Sequence, residues 1–254
     1  MGGHGGDGDL DTNVIRKKGR CRDNRIANSD VEPICTEGSF ISIERDYTIV
    51  VVDEFGNTGP SHPQETKFGF GVSIVGDASK FKRISMDLRD FYHVSEYKAS
   101  KAQMVERIEV ANKIRDSGTT TKACYINKNG DHPVGMDSRD DYKRIQGMLG
   151  FTLDHVLPHK GNFFVIVDYH SQYRSSKVVE DICKRRTNAS RNVMGVMKNS
   201  VGDGSASDYI QTNDFVSNAA RSDIELGLDE RSHILGITKI RAKGNDVFDE
   251  EDMK

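Results

Sequence analysis

The chain has no long apolar run. Its apolar stretches stop far short of the roughly 18 residues that a helix needs to span a bilayer, which argues against a helical membrane protein. The N-terminus, M-G-G-H-G-G-D-G-D, lacks the apolar core of a signal peptide, and a cytoplasmic location is the expectation. Net charge is scarce too. With 36 basic and 39 acidic side chains the balance is −3, so no global basic field announces a nucleic-acid binder, and local patches must carry any such role. Cysteine is sparse and scattered: Cys21, Cys35, Cys124 and Cys183 form no C-x-x-C pair. A zinc site can be drawn from Cys21, Cys35 and His4, but the spacing fits no tight knuckle. Free thiols in a reducing compartment are the simpler reading.

Charge of both signs is plentiful. Asp, Glu, Lys and Arg make up 30% of the 254 residues, against 35% apolar. That balance suits a soluble domain with solvated tails. Residues 1–40 are rich in Gly, Asp, Arg and Lys, show no apolar periodicity, and read as a flexible tail. Its basic part, Arg16-Lys17-Lys18-Gly19-Arg20-Cys21-Arg22, could touch a phosphate backbone, although a solvated tail is the plainer reading. Residues 242–254 end in D-E-E-D-M-K and read as a mobile acidic tail. The domain is expected to span residues 41–241.

Within it, strands and helices interleave. Tyr47–Asp53 is a continuous apolar strand of the kind buried on both faces. Lys67–Val75 alternates and reads as its antiparallel partner across the turn-rich G-N-T-G-P-S-H-P. A weak third strand is predicted near Phe81–Met86. A helix follows over about 100–116, a short strand over Lys122–Asn127 and a long helix over Ser138–Leu157. Then come a second fully apolar strand, Asn162–Asp168, a helix over Ser176–Arg186, a strand over Asn192–Met197 and a helix from Ser207 to about Leu226. Strands recurring between helices predict an α/β domain with a mixed sheet flanked by helices.

Two strands end alike: V-V-V-D at Val50–Asp53 and V-I-V-D at Val165–Asp168. Ligands in open α/β sheets bind beyond the carboxyl ends of the strands. If the two strands are parallel neighbours, Asp53 and Asp168 lie close together. Two unit charges about 4 Å apart repel by around 4 kcal/mol at an effective dielectric near 20. Such a pair needs a cation, a shared proton or a basic side chain, and clustered carboxylates suit Mg²⁺ or Mn²⁺. Taken singly, each Asp reads as a strand cap that opens a turn; the matched pair favours a site. Glu96, in S-E-Y-K-A-S, and Asp214, in I-Q-T-N-D-F-V on the last helix, are further candidate acids. An exposed helix acid is the ordinary alternative for Asp214.

The series D-E-F-G-N-T-G, E-Y-K-A-S, V-I-V-D and I-Q-T-N-D-F-V resembles, in its order, the family catalogued as domain of unknown function 3800. The resemblance covers roughly Tyr47 to Leu226. It implies an RNase H-like fold, a mixed five-stranded sheet flanked by helices, with Asp53, Glu96, Asp168 and Asp214 as catalytic, metal-binding carboxylates. Two departures stand out. Phe55 occupies a position where the family usually has Ser or Thr. The third acid is absent from Lys122–Asn127, the strand directly after the first helix, and Asp168 comes one helix and one strand later.

These readings lead to a metal-dependent nuclease using Mg²⁺ or Mn²⁺, in which two ions activate water and stabilise the leaving oxygen. Nucleic acid, RNA or DNA, is the expected partner. Lys98, Lys101, Lys177 and Arg185 are the candidate phosphate contacts, with Lys184 and Arg186 nearby. His170 could shuttle a proton and Tyr169 and Tyr173 could stack on bases, although loop and packing roles are plainer. The rivals are a catalytically inactive RNase H-like binding or scaffold protein and an ATP-binding phosphotransferase of the actin and sugar-kinase type. The latter is suggested by D-E-F-G-N-T-G but weakened because Tyr169, not Gly, follows V-I-V-D.

Overall fold

The computed structural model of the chain describes residues 34–36, 39–41, 47–56, 66–128, 141–168, 175–198, 204–227 and 229–253. A short antiparallel pair, β1 (Ile34–Thr36) and β2 (Ser39–Ile41), forms a separate two-stranded sheet, all but Ile41 within the stretch read as a tail.

The main sheet is built around β3 (Tyr47–Gly56). β4 (Lys67–Ile74) pairs antiparallel with it, as the hairpin reading predicts, and β5 (Thr120–Asn127) pairs antiparallel with β4. On the other side of β3 lies β6 (Gly161–Val167), parallel to it, and then β7 (Arg191–Lys198), parallel to β6. These five strands form the mixed five-stranded sheet that was expected. A sixth, β8 (Thr238–Arg241), extends it parallel to β5, giving the order β7-β6-β3-β4-β5-β8.

The helices are α1 (Ala78–Tyr92), α2 (Met104–Asp116), α3 (Asp141–Val156), α4 (Ser176–Lys184), α5 (Gly204–Leu226) and α6 (Glu230–Leu235). A 3-10 turn, Ala99–Lys101, precedes α2. α1 replaces the weak strand read at Phe81–Met86. Asp77 caps it by accepting from the Lys80 N–H, and Phe81, Ile84 and Leu88 recur at helical spacing against the core.

Alternation along β3 and β6 buries both faces. Ile49, Val51, Phe55, Phe164 and Ile166 meet α1, α2, α5 and α6. Val50, Val52, Val165 and Val167 meet α3 and α4 on the opposite face. α5 crosses β3 and β4 at close range because β4 turns small residues toward it. A Cβ on Gly71 would lie 2.4 Å from Ser217 Oγ and 2.7 Å from Ser217 Cα. Asn213 fixes the crossing by donating to the Gly71 carbonyl (3.0 Å) and accepting from the Ser73 hydroxyl (2.5 Å). Phe55 is a core residue: it faces Gly69 across the ladder, where a Cβ would stand 2.8 Å from its ring.

The C-terminal stretch is not a detached acidic tail. Ala242, Phe248 and Asp252 are buried, and Phe248 packs in the core beneath α3. The structured body therefore continues past residue 241, because one aromatic ring and one carboxylate in this polar stretch find buried partners.

Candidate functional site

Asp53 is the last inward residue of β3 before Phe55 and is only 7% exposed. Val52 pairs with Val167 in the parallel ladder, and the Asp168 N–H donates to the Val52 carbonyl at 3.0 Å. Asp168 thus continues the ladder beside Asp53. It comes late in the sequence because α1, α2, β5 and α3 lie between β4 and β6, yet β6 adjoins β3. Alternation from Phe164 and Ile166 turns Asp168 to the face covered by α5, the face Asp53 also uses. Glu54 alternates to the other face.

α5 brings the third acid. Ser217 donates to the Asp53 carbonyl oxygen at 3.1 Å and seats the helix over the strand end. Asp214, one turn earlier, is half-buried on the same side. Burial first, and then the charges of Asp214, Asp168 and Glu54, hold the Asp53 carboxyl well above the usual carboxylate range, against the opposing effect of the Ser217 hydroxyl. Asp214 is raised chiefly by burial. The Ala99 N–H and the Lys98 ammonium oppose this, while Asp168 and Glu96 add to it. The four predicted acids therefore share one electrostatic neighbourhood. Among the described residues, no three His, Cys, Asp or Glu side chains stand close enough together to hold a metal ion as they are.

Glu96 is the outlying member. It sits in the connection between α1 and the 3-10 turn, is more than half exposed, and lies 3.4 Å from the Lys98 ammonium. That connection is strapped to α5 by its backbone: the Tyr97 N–H donates to Gln211 Oε1 (3.1 Å) and the Ala99 N–H to Asp214 Oδ2 (2.8 Å). Q-x-x-D is thus a backbone clamp for E-Y-K-A as well as a source of a carboxylate. The spacing of Gln211 and Asp214 on one helical face was the available signal, and the sequence reading took only the acid from it.

The basic candidates divide. Lys98 and Lys101 lie on the strapped connection and are exposed, and Lys177 is exposed in the first turn of α4. Arg185 caps the far end of α4, donates to Asp252 and to the Glu251 carbonyl, and is not beside the acids. Arg186 is buried against Asp252 and Asp154. A buried carboxylate nearby accounts for both arginines better than phosphate does. Cys124 and Cys183 are buried free thiols, each pushed up to about 12 by burial, and carry no chemistry here. His4, Cys21, His170, Tyr169, Tyr173, most of G-N-T-G-P-S-H-P and the basic run at residues 16–22 lie outside the described residues.

No protein-family model matches the chain, and no curated protein does. Among solved structures it is similar to a chain in the PCNA:RNase HII complex from Archaeoglobus fulgidus, with 12% identity, a TM-score of 0.45, and 73% of this chain and 85% of that chain covered. The fold is read from the strand order and directions themselves.

Proposed function

We propose that the chain is a metal-dependent phosphodiesterase that hydrolyses nucleic acid. The observation that carries this reading is the grouping of Asp53, Asp168 and Asp214 from β3, the end of β6 and α5, with Asp53 buried against like charge. The donor set is all carboxylate oxygen, which suits Mg²⁺ or Mn²⁺. Asp53, Asp168 and Asp214 would have to draw closer together to hold the metal, with Glu96 beside them. Bound divalent ions supply an activated water and stabilisation of the leaving oxygen in an in-line displacement. The chain's own residues prepare the place. Ala99 fixes the Asp214 carboxylate, Ser217 seats α5 over the strand end, and Lys98 offsets part of the acidic charge. The exposed Lys98, Lys101 and Lys177 are suited to phosphate contact. The order of the four motifs supports kinship with the domain of unknown function 3800 family on the same reading.

Cleavage of single-stranded, duplex and hybrid substrates with Mn²⁺ tests the proposal. Cleavage is expected, and Asp53→Asn should abolish it. No cleavage of any substrate, or cleavage indifferent to Asp53→Asn, would sink the reading. Thermal stabilisation by Mn²⁺ that requires both Asp53 and Asp214 separates an enzyme from a scaffold that has kept the fold alone.

A further inference from the structure

The last turn of α1 and the connection that follows it carry an aromatic stack that packing within the chain does not explain. Phe91 is 75% exposed and Tyr92 37%. Yet the rings are in contact: Phe91 meets Tyr92 edge-on at 4.9 Å, and Tyr92 lies on Tyr97 at 4.5 Å with their planes 4° apart. The innermost ring is pinned. Tyr97 donates its hydroxyl to Glu106 (3.0 Å) and its N–H to Gln211 (3.1 Å). A single exposed ring is ordinary on a protein surface, but an anchored three-ring stack with an apolar outer member is a prepared surface.

Its surroundings indicate what it receives. Tyr97 stands between Glu96 and Lys98, and two residues on, Ala99 binds the Asp214 carboxylate. Lys98 and Lys101 are exposed on the same segment. The Lys98–Glu96 pair at 3.4 Å is half exposed on both sides, so little holds the ammonium from another anion. Flat apolar rings beside two ammonium groups match the two parts of a nucleotide, base and phosphate.

We propose that Phe91, Tyr92 and Tyr97, with Lys98 and Lys101, form a stacking platform for the unpaired bases of single-stranded nucleic acid. The proposal rests on the nuclease reading for its purpose and names the substrate class: bases paired within a duplex present no open face to such rings. Binding is tested apart from cleavage.

Fluorescence anisotropy of labelled oligo-dT and oligo-U, titrated with the full chain in EDTA, is the measurement. Phe91→Ala should keep the thermal midpoint, since the ring is exposed, and weaken binding about 5- to 100-fold, the span that base–aromatic stacking accounts for. Phe91→Trp should restore it. An abasic oligomer of equal length should bind both forms alike and weakly. Comparing oligo-dT with oligo-U assigns DNA or RNA. Equal binding by Phe91→Ala and the parent overturns the platform. So does binding of abasic oligomer or blunt duplex as tight as that of oligo-dT, or a change confined to self-association in sedimentation. Binding that depends on Phe91 without any cleavage retires the nuclease reading alone, and cleavage without that dependence retires the platform alone.

Discussion

Asp53 is a buried carboxyl that shares its surroundings with Asp214, Asp168 and Glu54. Folding therefore favours its protonated form. The unfolded chain releases this proton near the ordinary value of 3.8, and the folded chain holds it to a higher pH. Between those two points the unfolded state binds fewer protons, so stability falls as pH rises, by about 1.4 kcal/mol for each unit of elevation. Asp53→Asn removes the charge and keeps the shape. In EDTA it should melt above the parent at neutral pH, and the gain should vanish as the pH falls below about 4. Thermal melts across pH 3.5–8 check this; an Asn variant less stable than the parent at neutral pH would mean that the ionised carboxylate is needed by the fold. Manganese should reverse the order by stabilising the parent alone. The sequence made Asp53 and Asp168 legible as a pair, because both end apolar strands. It did not show that their neighbours raise rather than lower the Asp53 carboxyl, since that depends on α5 lying over the strand end.

At the scale of elements, α5 performs two tasks with two adjoining faces. Asn213 and Ser217 lock it to β4 and β3, while Gln211 and Asp214 hold the backbone of the connection that carries Glu96 and Lys98. Asp214 is thus both a positioning acceptor and a candidate metal ligand, and two substitutions separate these roles. Asp214→Asn keeps an oxygen for the Ala99 N–H and should fold as the parent does while losing stabilisation by Mn²⁺. Asp214→Ala leaves that N–H without its acceptor and should cost a further 1–3 kcal/mol or so in urea unfolding. Equal stability of the two variants would show that the clamp contributes nothing. Elements were unevenly legible. β3 and β6 announced themselves by unbroken apolar runs, and α3 and α5 by helical period. α1 was misread as a strand because F-K-R-I-S-M shows too few apolar positions for its period to emerge until Leu88 is included. β8 is four residues long, mostly exposed, and held by pairing with β5. A single sequence carries no signal for that non-local pairing.

For the whole molecule, the decisive misreading was of residues 242–254. A run ending D-E-E-D is a solvated tail by composition, yet it closes the α3 face of the domain. α3 makes room for it with two glycines. A Cβ at Gly147 would stand 2.6 Å from the Phe248 ring, and one at Gly150 would stand 1.9 Å from Asp252 Oδ2. Into that groove Phe248 inserts at 1% exposure, 5.9 Å from the Phe151 ring, while Asp252 accepts from both Arg185 and Arg186. The arginines and the carboxylate depend on each other. Arg186 is almost wholly buried, and without Asp252 it keeps, among the described residues, only the half-exposed Asp154 as a counter-ion. Breaking a buried pair from one side is worse than never having built it, because a desolvated charge is left behind. A chain truncated after Arg241 therefore should not behave as a trimmed domain. It should lose the burial of Phe248, worth about 3–5 kcal/mol by the measure of a Phe→Ala change, and strand Arg186 as well. Phe248→Ala in the full chain isolates the first effect and Asp252→Ala the second. Urea midpoints give the comparison. If truncation leaves the midpoint where it was, the strap is ornament and the domain ends at β8. If both point variants and the truncation lower it, residues 243–253 belong to the folded body. The carboxylate site lies on the opposite face, so under the proposed function Asp252→Ala should bind nucleic acid as the parent does at temperatures where the protein remains folded.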